Sequence, residues 1–172
     1  MSTSFQHTLR IAAVAGLTAL AALPAQAASD TATFNVTITL TETCDVNTTG
    51  ASNINFGTQA LLTANFDQTS TLTVTCSEDT DYSLGLSAGL NPGTPGDVDT
   101  RRMGDGNGNY VQYQLYQDAP GGIVWGDTVL TNTVEEVGTG SSQSYTVHGR
   151  VPPQATPPAG VYSDTITATV TY

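Results

Sequence analysis

Serine, histidine and aspartate could together make a nucleophile, a base and an orienting carboxylate, and the chain holds Ser144, His148 and Asp164. No nucleophile motif surrounds any serine, and His148 falls on the polar face of an alternating run, so a solvated surface histidine is the reading. Asp105-Gly106-Asn107-Gly108-Asn109 imitates the opening of a calcium loop, with Asp97 and Asp99 nearby. Yet Tyr110 stands where glycine is required and Tyr116 where a bidentate glutamate is required. The segment reads as a Gly/Asn turn. Trp125 and seven tyrosines could stack on sugars, but Tyr113, Tyr145, Tyr162 and Tyr172 sit in apolar phase and read as core or interface. Arg101-Arg102 reads as a loop pair neutralised by nearby aspartates. Asn35-Val36-Thr37 and Asn47-Thr48-Thr49 match a glycosylation pattern, which is given no weight. No enzyme constellation, cofactor or metal set emerges, and the expectation is a non-enzymatic protein.

The elements around these residues begin after residue 27. Arg10 precedes an apolar run, Ile11 to Leu23, too short to span a bilayer, and Ala25-Gln26-Ala27 fits a small-x-small cleavage site. Residues 1–27 therefore read as a cleaved signal peptide, and 145 residues of the 172 remain, enough for one domain with a real core. All 15 acidic residues lie in this part, against three arginines and no lysine, a formal charge of −12. That balance excludes nucleic-acid binding through a basic patch and disfavours anionic lipid. In an exported protein the two cysteines, Cys44 and Cys76, read as one disulfide, because neither Cys-x-x-Cys spacing nor a nearby histidine suggests metal or redox chemistry. Closing that loop stabilises by roughly 3–4 kcal/mol on the chain-entropy model.

No stretch after the signal shows a helical stripe. Short runs alternate instead: Ile54/Phe56, Leu72/Val74/Cys76, Tyr82/Leu84/Leu86, Val111/Tyr113/Leu115, Tyr145/Val147/Val151 and Ile166/Ala168/Val170/Tyr172. Many half-buried strands separated by Gly- and Pro-rich turns predict an antiparallel β-sandwich. Threonine fills the outer positions, keeping strand propensity while solvating the face. The most regular run is Phe34, Val36, Ile38 and Leu40, alternating with Asn35, Thr37, Thr39 and Thr41 just before Cys44. Such a strand can pair within its own domain or add to the sheet edge of a neighbour. The last predicted strand runs to Tyr172. An immunoglobulin-like sandwich ending there would be one strand short, with a surplus strand of matching polarity near the other terminus.

These residues, in order, resemble the spore coat protein U domain family, which includes the pilins of archaic chaperone–usher pili. The matching pieces are the strand before Cys44, Asn55-Phe56-Gly57, Val74-Thr75-Cys76, Tyr82-Ser83-Leu84 leading to Gly89, Arg102-Met103, Val111 through Asp118, Trp125-Gly126, and Pro158 through Tyr172. The resemblance implies an incomplete immunoglobulin-like antiparallel sandwich over 44–172 and an N-terminal donor segment over 28–43. It implies Phe34, Val36, Ile38 and Leu40 as the residues that fill a neighbour's groove. It also implies a periplasmic chaperone engaging the Tyr172 carboxylate, an outer-membrane usher, related pilin subunits as partners, and export to the cell surface in a fibre that supports adhesion and biofilm. The other readings are a structural coat protein of a spore or cyst, and a periplasmic ligand-binding domain or enzyme.

Overall fold

The computed structural model describes residues 28–47 and 53–172. The proposed signal peptide and the Thr48–Thr49 part of the second glycosylation pattern lie outside the described residues. The chain divides into two units, Met1–Ile38 and Thr39–Tyr172. In the first, residues 28–38 form no strand, and Phe34, Val36 and Ile38 are more than 80% exposed.

Among its described residues the second unit is all-β, with a short 3-10 turn at Val98–Thr100. Its strands are β1 (Cys44–Asn47), β2 (Phe66–Cys76), β3 (Asp81–Leu86), β4 (Arg102–Gly104), β5 (Tyr110–Gln112), β6 (Gln114–Tyr116), β7 (Val134–Val137), β8 (Ser142–Val151) and β9 (Ala168–Thr171). All pairings are antiparallel. One sheet runs β1-β2-β8-β6, a second β7-β3-β9, and β4-β5 form a hairpin. The long β2–β8 ladder sets Phe66 opposite Val151 and Thr75 opposite Ser142. Its register turns Leu72, Val74, Val147 and Val151 to one face, where all four are buried. β3 supplies Tyr82, Leu84 and Leu86 from the other sheet. Each large apolar side chain fully buried here contributes about 1.5–3 kcal/mol before ordering costs.

Cys44 faces Cys76 across β1 and β2, and the two form a disulfide with a Cα separation of 4.1 Å. The backbone N–H of Ser77 donates to Thr43 O one residue away, which makes the cysteines a non-hydrogen-bonded pair, the closer of the two antiparallel spacings. Trp125 is fully buried, and its indole N–H donates to Leu84 O at 2.8 Å. Tyr172, in contrast, is 60% exposed.

Three features depart from the sequence reading. Val111–Leu115 is split, because Tyr113 leaves the β4–β5 hairpin, donates its N–H to Arg101 O, and hands the chain to β6 on the first sheet. β7, Val-Glu-Glu-Val, has no alternation to find; it is an edge strand held by pairing with β3 and by the Ser83 hydroxyl on Glu135. Arg101 and Arg102 are not a loop pair neutralised by aspartates: Arg102 opens β4, and Arg101 sits between the 3-10 turn and β4 with its side chain turned inward. Arg101 is buried, and its guanidinium donates to the carbonyls of Leu86, Ser87 and Trp125 and to Gln114 Oε1. Burial lowers its pKa from the ordinary value, and the nearby Tyr113, Asp127, Asp99 and Asp164 oppose that shift.

Candidate functional site: an open groove along the C-terminal segment

β9 pairs with β3 on one side, and among the described residues no strand is hydrogen-bonded to its other side. Ser87 N–H donates to Thr167 O, and the ladder continues through Gly85/Thr169 and Ser83/Thr171. By antiparallel alternation, the odd-numbered residues therefore spend their backbone groups on β3. The N–H and C=O groups of Ile166, Ala168 and Val170 point to the open side. The side chains of the same three residues are half-buried against the core. One short stretch thus offers a free backbone edge and an apolar flank together.

The opposite wall is Ile54 and Phe56, the alternating pair read as a strand. They pack on the core, but among the described residues Asn53–Phe56 make no backbone–backbone hydrogen bond. Gly149 of β8 lets them approach: a Cβ there would meet Phe56 Cζ at 3.1 Å and Ile54 Cδ1 at 3.2 Å. Between the walls is a groove of about 500 Å³, floored by Leu72, Val147 and Leu115 of the first sheet and Leu86 of the second. Tyr162, Ile166 and Ala168 line its C-terminal side.

One end of the groove is polar and built. Asp164 accepts from the Tyr113 hydroxyl at 2.7 Å, Leu90 N–H at 2.8 Å and Asn91 Nδ2 at 3.3 Å. Gly89 has φ +84°, and a Cβ on it would lie 2.0 Å from Asp164 Oδ2, so glycine is required there on both counts. Burial, and then the Asp164 carboxylate, push the Tyr113 phenol up from its ordinary pKa. This network ties the 87–91 loop to the start of the C-terminal segment and holds the groove's wall in place.

The side chains considered for catalysis do not converge. Ser144 and His148 lie four residues apart on β8, roughly 13 Å at strand rise. Asp164 is committed to Tyr113 and the loop amides. His148 is half-buried rather than fully solvated. Asp105 accepts from Asn107 N–H, Asn109 N–H and Asn109 Nδ2, which makes its loop a self-contained turn. Its pKa is held at about 2, chiefly by Asn109. Among the described residues no group of three or more His, Cys, Asp or Glu could hold a metal. Leu40, in the second unit, is 84% exposed, like Phe34, Val36 and Ile38. Sequence reading missed the buried role of Arg101 and the service of Gly149 to Ile54 and Phe56; both depend on what packs across from them.

An all-β, immunoglobulin-like antiparallel sandwich with an unfilled edge defines the class of protein. The chain belongs to the Spore Coat Protein U domain family, a family of structural proteins rather than enzymes, whose model matches residues 30–169. It is 34% identical over 174 residues to "Protein U" of Myxococcus xanthus, covering 93% of this chain and 97% of that one. Its fold is similar to a chain of the CsuC–CsuE chaperone–tip adhesion subunit pre-assembly complex, from archaic chaperone–usher Csu pili of Acinetobacter baumannii. That likeness has a TM-score of 0.56 and 24% identity. It covers 78% of this chain and 40% of the solved chain.

Proposed function

We propose that this chain is a structural pilus subunit of the chaperone–usher kind that polymerises by donor-strand exchange. The observation that carries the reading is the open edge of Ile166, Ala168 and Val170, where free backbone groups run beside an apolar groove lined by Ile166 and Ala168. A strand added there completes a ladder and covers the core in one step. The chain also carries a segment with the required alternation, the exposed Phe34, Val36, Ile38 and Leu40. Burying four such anchors gives a gross gain of about 1.5–3 kcal/mol each, against the cost of ordering the segment. In this reading residues 1–27 are a cleaved signal, 28–43 the donor segment and 44–172 the acceptor domain. An open apolar edge is an aggregation hazard before assembly, so a periplasmic chaperone covers it and engages the Tyr172 end, and an outer-membrane usher exchanges it for the next subunit. The product is a surface fibre that supports adhesion and biofilm. The similarity to Protein U and the family's description favour a second reading, a coat protein that does not form a fibre.

The test is a chain lacking residues before Thr41, compared with the same chain carrying a copy of Thr33–Thr41 after Tyr172 through a short Gly/Ser linker. The expected result is a stable monomer with a raised, cooperative melting transition only when the strand is supplied. Equal melting of both chains would overturn the reading. Fibres seen by electron microscopy on an expressing cell separate a pilus subunit from a coat protein.

A further inference from the structure

The subunit has two poles at opposite ends of the C-terminal segment, and their chemistry is complementary. Ser163 bridges Gly104 of β4, while Tyr172 reaches the far end. Nine residues at strand rise separate them, about 30 Å. At the first pole Arg102 lies over the Tyr110 ring at 4.0 Å and donates to the carbonyls of Asn91 and Pro92. Among the described residues it has no carboxylate partner. The other two arginines of the domain are spent: Arg101 is buried on carbonyls, and Arg150 is paired with Asp67 at 2.7 Å. At the second pole is an open hollow of about 550 Å³, with Leu130 and Val137 as apolar surface and Asp81 and Glu136 as carboxylates.

The second pole is built rather than incidental. Leu130 is 82% exposed and has φ +60°, a left-handed conformation that costs a branched residue energy. Its N–H donates to Thr133 Oγ1 and Glu135 Oε1, and Glu135 in turn takes the Ser83 hydroxyl of β3. The loop is thereby pinned so that it displays a leucine to solvent.

We infer that the Arg102–Tyr110 face of one subunit docks on the Leu130–Glu136 hollow of a second copy. The charge balance selects that occupant. Subunits this acidic repel one another, so a self-contact needs a cation, and among the described residues Arg102 is the arginine that is neither buried nor paired with a carboxylate. Patches at opposite poles make a heterologous contact, which generates an open filament rather than a closed dimer. The contact rests on the donor-strand reading for holding subunits head to tail. It sets how closely they stack rather than whether they join.

The experiment expresses the full chain with Arg102→Glu, Glu136→Arg, Leu130→Ser, and the Arg102→Glu/Glu136→Arg pair. It records fibre yield and mean length per subunit by electron microscopy at low and high salt. Unsubstituted fibres should be compact at low salt and lengthen per subunit as salt rises. Each single variant should keep its yield, lose low-salt compaction, and lose the salt response; the charge-swapped pair should regain both. Glu136 is exposed on an edge strand, so its variant tests the contact without disturbing the loop Arg102 supports. Fibres of identical length per subunit in all chains would overturn the contact alone. A swapped pair no more compact than its singles would do the same. No fibres from the unsubstituted chain would overturn the donor-strand reading and the contact with it.

Discussion

Phe34–Thr41 and Thr165–Tyr172 carry the same text: apolar residues at alternate positions with threonine between most of them. Their circumstances differ. Ile166, Ala168 and Val170 are half-buried and Ala168–Thr171 is a strand, because β3 satisfies one side of its backbone. Phe34, Val36, Ile38 and Leu40 are exposed and form no strand. Strand propensity is the same in both, so what distinguishes them is a neighbour that takes the backbone hydrogen bonds and an apolar surface that takes the side chains. A strand without those two things is only an alternating sequence.

The strongest way to break this comparison is to place one charge in each segment. Ile166→Asp puts a carboxylate against the subunit's own core, where an unpaired charge costs several kcal/mol, and the periplasmic subunit should be lost. Ile38→Asp or Val36→Asp should leave the subunit at its usual level and abolish fibres. Thr37→Asp and Thr39→Asp point away from the groove side of the pleat and should be milder. Immunoblots of periplasmic subunit beside surface fibre yield check this. Equal effects at even and odd positions would contradict strand insertion, and subunit loss in the Ile38 variant would assign that segment to its own core.

Removing the disulfide comes next in size. Cys44→Ala with Cys76→Ala should lower unfolding free energy by about 3–4 kcal/mol, read from urea denaturation of the strand-complemented monomer. The bridge anchors β1 where the chain leaves the exposed segment and enters the sheet. Mass spectrometry of the exported protein should show it two hydrogens lighter than its reduced form.

A finer change separates the groove from the core behind it. Gly149→Ala crowds Phe56 and Ile54, which have no backbone ladder among the described residues and can shift. The expected cost to the complemented monomer is about 1 kcal/mol or less. Binding of a Thr33–Thr41 peptide to a subunit truncated before Thr41 should weaken more than that. Unchanged peptide affinity with a large loss of stability would move Ile54 and Phe56 from the groove wall into the obligatory core.

The smallest effect tests the turn at Asp105. Its folded pKa of about 2 lies below the ordinary 3.8. Whatever stability it adds is present above 3.8 and is lost as pH falls through about 2. A carboxyl resonance titrating near 2 by NMR is expected, with Asn109→Ala returning it toward the ordinary value and leaving fibre yield unchanged.

The local periods were open to direct reading. Period-two alternation located β3, β9, most of β8 and the C-terminal half of β2, since one residue's displacement would turn every apolar side chain to water. The charge balance and the two cysteines were equally plain. β7 was not, because Val134-Glu-Glu-Val137 becomes a strand only through β3 beside it. Arg101 was not, because a guanidinium becomes a core residue only when enough carbonyls converge on it, and those come from β3's end and from Trp125, distant in sequence. The break at Tyr113 belongs to the same class: alternation continues through it, but the hydrogen-bonding partner changes from β4 to β8.

By itself, then, the sequence determined which residues alternate, which bear charge and which turns must bend. These follow from backbone geometry and from the cost of burying polar groups, both of which act over a few residues. Only the tertiary structure decided that the edge beside Ile166, Ala168 and Val170 is left unpaired, and that Ile54 and Phe56 face it across a groove. An open edge is a property of what is not adjacent in space, and spacing along a chain cannot express it.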